Sequence, residues 1–142
     1  MTPEQIELVK RSFAKVVPIK ETAAALFYGR LFEVDPALRA LFRDTDMVEQ
    51  GRKLMATLGF VVMNLGHPGS VVPAAQGLAR RHVGYGVREE HYATVGAALI
   101  WTLRQGLGEA FTPAVEDAWT AAYAMLSGAM IEAAREVGVQ AA

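Results

Sequence analysis

Apolar residues fall at three- and four-residue intervals in one segment after another of this chain, and nowhere in the alternation of a strand. That period lines them along single faces of helices and commits the fold to helix-on-helix packing. Ile6, Val9, Phe13, Val16 and Val17 make the first stripe. Thr2, Pro3 and Gln5 ahead of it read as a capping box with proline at the first helical position, and Pro18 closes the segment. Further helices are expected from about Lys20 to Val34, Met47 to Leu65, Val71 to Tyr85, Glu89 to Leu107, and from Thr112-Pro113 to about Val137. Asp35-Pro36 starts a short turn that ends near Phe42, while Gly66-His67-Pro68-Gly69, Gly84 and Gly86 act as breakers. The expected class is all-α, with no repeats and no linkers.

With 142 residues the chain suits one domain with one real core. Its apolar fraction of 52% fits helices wrapped around something greasy. The 14 basic and 15 acidic residues are spread along the chain, so no footprint for nucleic acid appears. Cysteine is absent, which excludes disulfides, thiolate-bound zinc, iron–sulfur clusters and thiolate-ligated haem. The longest apolar runs, Leu54–Leu65 and Ala93–Leu103, are too short to span a bilayer. Met1-Thr2-Pro3-Glu4-Gln5 turns amphipathic at once, unlike a signal peptide, so the default expectation is a cytoplasmic protein without a membrane partner.

The three histidines can be weighed singly. His67 precedes Pro68-Gly69 in a loop and is expected in solvent; His91, among Glu89 and Glu90 in a first helical turn, is expected at the surface. His82 follows Leu78 and Ala79 at helical spacing and so lies on an apolar face. Taken alone, such a histidine is more often a satisfied core residue than a ligand. Gln50 and Leu54 project from one helix face, and Gly51 beside them stands mid-helix, where glycine costs about 1 kcal/mol against alanine. A second helix crossing closely there, with Ala24 or Ala25 as counterpart, would explain it. Tyr28 shares a face with Leu31 and Phe32, and a buried hydroxyl needs a partner. Phe42, after Leu38 and Leu41, reads as core.

In combination these residues resemble the globin family, in its branch of bacterial single-domain haemoglobins and flavohaemoglobin haem domains. The resemblance spans essentially the whole chain. It is carried by Phe27-Tyr28-Gly29-Arg30-Leu31-Phe32, Pro36 through Phe42, Gln50-Gly51-Arg52-Lys53-Leu54-Met55, Arg81-His82, Tyr92, Ala118-Trp119 and Tyr123. Leu54 lies four residues after Gln50 and Tyr92 ten after His82. Each motif is weak alone, and their order and separation make the set specific.

The resemblance implies a single globin domain over residues 1–142, with about seven to eight helices around a haem pocket. It assigns His82 as the proximal ligand of haem b (iron protoporphyrin IX), Tyr28 and Gln50 as the distal polar pair, and Leu54 as the distal apolar residue. Phe42 would wedge the haem ring, with Val87 and Tyr92 on the proximal side. Lys53 either offers a cation to a haem propionate or stands as a solvated surface lysine. One departure matters: flavohaemoglobins pair the tyrosine matching Tyr92 with a glutamate whose place Ala134 takes here. Glu132 and Glu136 lie about 200° around a helix from that position, in opposite senses. Strong proximal electron donation is therefore not expected.

The implied ligands are O2, CO and NO. Removal of NO would need an external reductase, because the 142 residues leave no room for one and Gly84-Tyr85-Gly86 is no dinucleotide fingerprint. A gas or redox sensor would use the same pocket. A haem-free helical interaction module is the reading from another class, against which the joint presence of His82, Tyr28, Gln50 and Phe42 argues.

Overall fold

The computed structural model describes the backbone of residues 1–141 and the side chains of residues 1–136. Helix α1 (Pro3–Val16) opens with the expected capping box: Gln5 N–H donates to Thr2 Oγ1 at 3.1 Å, and Thr2 N–H to Gln5 Oε1 at 3.0 Å. Pro18 does not open a loop. It sits in a 3₁₀ turn (Val17–Ile19) that leads straight into α2 (Lys20–Val34), whose bounds match the expected ones.

After a 3₁₀ segment (Pro36–Phe42), α3 (Met47–Met63) is capped by Asp46, which accepts from Val48 and Glu49 N–H. It stops two residues before Leu65 because the Asn64 amide donates to the Phe60 carbonyl at 2.8 Å, satisfying a last-turn acceptor. Helix α4 (Pro68–Gly84) starts at the proline rather than at Val71, since proline at the first helical position loses no bond. Helix α5 (His91–Leu107) starts two residues later than expected, and Gly108 ends it at φ +55°. Thr112 Oγ1 accepts from Val115 N–H to start α6 (Pro113–Ala141). The expected seven to eight helices thus resolve into six α-helices and three 3₁₀ segments, with no strand among the described residues.

Helices α1 and α4 pack on α6, while α2 packs on α5 and α3. At the α1–α6 contact Trp119 Nε1 donates to Ser12 Oγ at 2.8 Å, and the serine hydroxyl reaches the Leu8 carbonyl at 2.7 Å. A Cβ built on Gly51 would lie 2.9 Å from Ala24 Cβ, so α2 and α3 cross where the glycine requires. Gly51→Ala should gain about 1 kcal/mol of helix propensity and lose about 1–3 kcal/mol to overpacking against a methyl that cannot swing away. A net loss near 1 kcal/mol, read as a melting temperature lower by about 4 °C, is expected; an unchanged or higher value would refute the tight crossing.

The apolar core comes in two parts. The larger holds Val9, Phe27, Tyr28, Leu31, Leu38, Leu99 and Trp119, with Phe42 and Leu54 packed against it. The smaller holds Ala75, Ala79, Tyr92, Met130 and Ala133, with Leu78 and Val87 against it. Among the described residues no substantial packing joins α3 to α4.

Candidate functional site

His82 lies half-buried in the last turn of α4. Its Nδ1 is 2.7 Å from the Leu78 carbonyl. A carbonyl only accepts, so Nδ1 carries the proton and Nε2 is left with its lone pair. Burial, helped by the Arg81 cation, holds its pKa below the ordinary histidine value, against the pull of the Leu78 carbonyl. The neutral ring is thereby favoured, the form that ligates metals. The Tyr85 ring lies 5.8 Å from the imidazole, centroid to centroid, and is largely exposed.

Tyr28, on α2, is buried. The amide of Gln50, half-buried one turn into α3, donates to the Tyr28 hydroxyl at 3.3 Å. The phenol O–H itself has no acceptor among the described residues. Burial raises the Tyr28 pKa, opposed by the Gln50 bond, so the phenol stays protonated and available as a donor. Its ring meets Phe42 edge-on at 5.5 Å, and Phe42 meets Phe32 in the same way at 5.5 Å. Leu54 stands half-buried one turn beyond Gln50. The structure therefore brings Tyr28, Phe42, Gln50 and Leu54 onto one part of the core. Lys53 is exposed and makes no ion pair among the described residues.

Val87 and Tyr92 fall on the other part, with the apolar face of α4. Burial alone raises the Tyr92 pKa, and no carboxylate among the described residues bonds its hydroxyl. Glu132 and Glu136 are exposed, and Arg135 between them pairs with Glu89. Tyr123 donates to the Tyr92 carbonyl at 2.6 Å. That ring fits only because residue 96 is glycine, where a Cβ would lie 2.7 Å from Tyr123 Cε2.

The three histidines separate. His67 is exposed, as its loop suggests. His91 is not at the surface: it is buried, with Nδ1 accepting from Arg88 N–H at 2.9 Å. Because α5 begins at His91 and not at Glu89, the side chain turns back under the preceding turn. The signal lay in the spacing, an acceptor side chain three residues after a free backbone donor.

Among the described residues no group of three or more metal-ligating side chains exists. A single neutral imidazole suits a metal whose other ligands come with a macrocycle, and the apolar residues Leu78 and Val87 lie close to His82 in sequence on the same part of the core. That donor set fits haem. No helix of the described residues is long and apolar enough to cross a membrane.

The family model for Globin matches residues 25–130. Flavohemoproteins of Bordetella parapertussis and Bordetella bronchiseptica are each 36% identical over 147 aligned residues, covering 100% of this chain. That of Xylella fastidiosa (strain Temecula1) is 33% identical over 125 residues and 86% of this chain. The chain spans 36% of the length of the Bordetella proteins and 31% of the Xylella one. A solved bacterial globin from Campylobacter jejuni superposes with TM-score 0.85 at 25% identity, covering 96% of this chain and 98% of that one.

Proposed function

The chain belongs to the globin family, and on that premise we propose that it binds haem b and, through it, O2 reversibly, with CO and NO as further ligands. The observation that carries this reading is the divided core: Val87, Tyr92 and Leu78, whose carbonyl holds His82, belong to one side, and Tyr28, Phe42, Gln50 and Leu54 to the other. Haem, when bound, would supply an iron able to take up a diatomic gas. His82 would hold that iron through Nε2, its ring fixed by the Leu78 carbonyl at 2.7 Å. Phe42, locked among Phe32 and Tyr28, is the wedge against the ring. Lys53, exposed and without an ion pair among the described residues, would either offer a cation to a propionate or stand solvated at the surface. The chain has no cysteine for thioether attachment, which favours haem b.

On the gas side Tyr28 and Gln50 present N–H and O–H donors to a ligand that gains negative charge, and Leu54 keeps water out. An apolar cavity lined by Phe27, Leu54, Leu58 and Leu99 adjoins it and gives a small gas room. A neutral carbonyl rather than a carboxylate backs His82, so its imidazole stays an ordinary donor. Converting NO to nitrate with O2 takes one electron per cycle, so that activity would need a reductase to supply it.

Absorption spectra of the purified protein with dithionite and CO test the reading. Gln50 offers no strong ligand, so the gas-free ferrous protein is expected to be five-coordinate and high-spin. A six-coordinate low-spin spectrum would contradict the open position. A chain that gives no Soret band even after haem addition would remove haem altogether.

A further inference from the structure

Two consecutive backbone donors between α4 and α5 are divided between the two histidines that flank them. Val87 N–H donates to the His82 carbonyl at 3.0 Å. Arg88 N–H donates to His91 Nδ1 at 2.9 Å, and His91 N–H returns a bond to the Arg88 carbonyl at 3.0 Å. The two bonds tie residues 88 and 91 into one turn at the start of α5, with the imidazole as side-chain acceptor, while Glu90 at the N-cap makes no side-chain cap bond.

The segment needs such a fastening. Gly86, at φ +90°, makes it pliable, and Tyr85 is largely in solvent. The Glu89–Arg135 ion pair is exposed on both sides and holds little. His91 is the buried clamp, 8% exposed, and the function proposed above makes no use of it. Val87 on one side of it and Tyr92 on the other both enter the apolar cluster that includes the inner face of α4.

We propose that His91 is a positioning residue: its Nδ1 sets the register of residues 87–92, and through Val87 and Tyr92 the packing of the haem's proximal side and the orientation of His82. The effect on the haem rests on the haem-binding reading; the clamp itself does not. His91 must then be the Nε2-protonated tautomer, because Nδ1 accepts.

Three measurements on the full chain decide it. Nitrogen NMR of the wild-type CO-bound ferrous protein should show His91 protonated on Nε2; protonation on Nδ1 overturns the proposal without any variant. Amide exchange at Val87 and Arg88 should rise at least tenfold in His91→Leu and return to the wild-type rate in His91→Gln, whose side-chain oxygen can accept in the same register. The iron–imidazole stretching band of the gas-free ferrous protein should shift and broaden in His91→Leu and recover in His91→Gln.

Wild-type exchange in the leucine variant overturns the clamp, as does a glutamine variant that melts like wild type yet exchanges like leucine. Faster exchange with an unmoved band overturns the role toward His82. Should the chain take up no haem, the functional reading fails, while the tautomer and exchange measurements on the haem-free protein still decide the clamp.

Discussion

His82→Ala is expected to abolish the iron–imidazole bond and to leave the helical fold in place. The Leu78 carbonyl that holds the ring also lies within reach of the residue 82 backbone N–H inside α4, so alanine orphans no buried acceptor. The ring is half-buried, and its loss opens a small cavity rather than unpacking the smaller core cluster. Circular dichroism should therefore change little. Haem affinity should fall by more than the roughly 10–100-fold that losing a partner outside the ligand shell costs, because the proposed ligand itself is gone. Added imidazole should enter the vacated space and restore a five-coordinate ferrous spectrum. A variant that keeps the wild-type iron–imidazole band without added imidazole would place the axial ligand elsewhere.

The contrast among the histidines shows what a sequence can and cannot carry. Helix starts at Thr2 and Thr112 are legible because a capping side chain and its backbone donor lie within one turn of sequence. The α2–α3 crossing is legible too, since a mid-helix glycine such as Gly51 asks for a close neighbour and Ala24 is small enough to be one. The start of α5 is not, because Glu90 at its N-cap makes no side-chain bond to mark it and His91 among acidic residues looks solvated. The Tyr123 bond to the Tyr92 carbonyl links residues 31 apart, and only tertiary packing across Gly96 creates it. Periodicity placed Tyr28, Phe42 and His82 on apolar faces without giving any of them a role. That step came from the resemblance to globins, and the division of the core into two clusters is what the folded chain adds to it.

Tyr28→Phe is the sharpest test of the gas side. Phenylalanine fits among Phe27, Phe32 and Phe42 without new volume, so the packing of α2 should hold. What disappears is one buried donor and the acceptor of the Gln50 amide. A neutral hydrogen bond contributes about 0.5–1.5 kcal/mol, so O2 should dissociate roughly twofold to tenfold faster. The freed Gln50 amide can turn toward the gas and recover part of this, which places Tyr28→Phe below the double variant with Gln50→Leu. Removing both donors should speed O2 loss by about tenfold or more, and the two effects should not add, since the residues share a bond. CO gains less negative charge than O2, so its dissociation should move far less. Because burial raises the Tyr28 pKa above its ordinary value, the wild-type phenol remains a donor as pH rises through the neutral range. The difference between wild type and Tyr28→Phe should accordingly be flat between about pH 6 and 9, below the tyrosine range. Stopped-flow displacement of O2 by CO measures all of this, and an O2 off-rate unchanged in Tyr28→Phe would take the phenol out of the site.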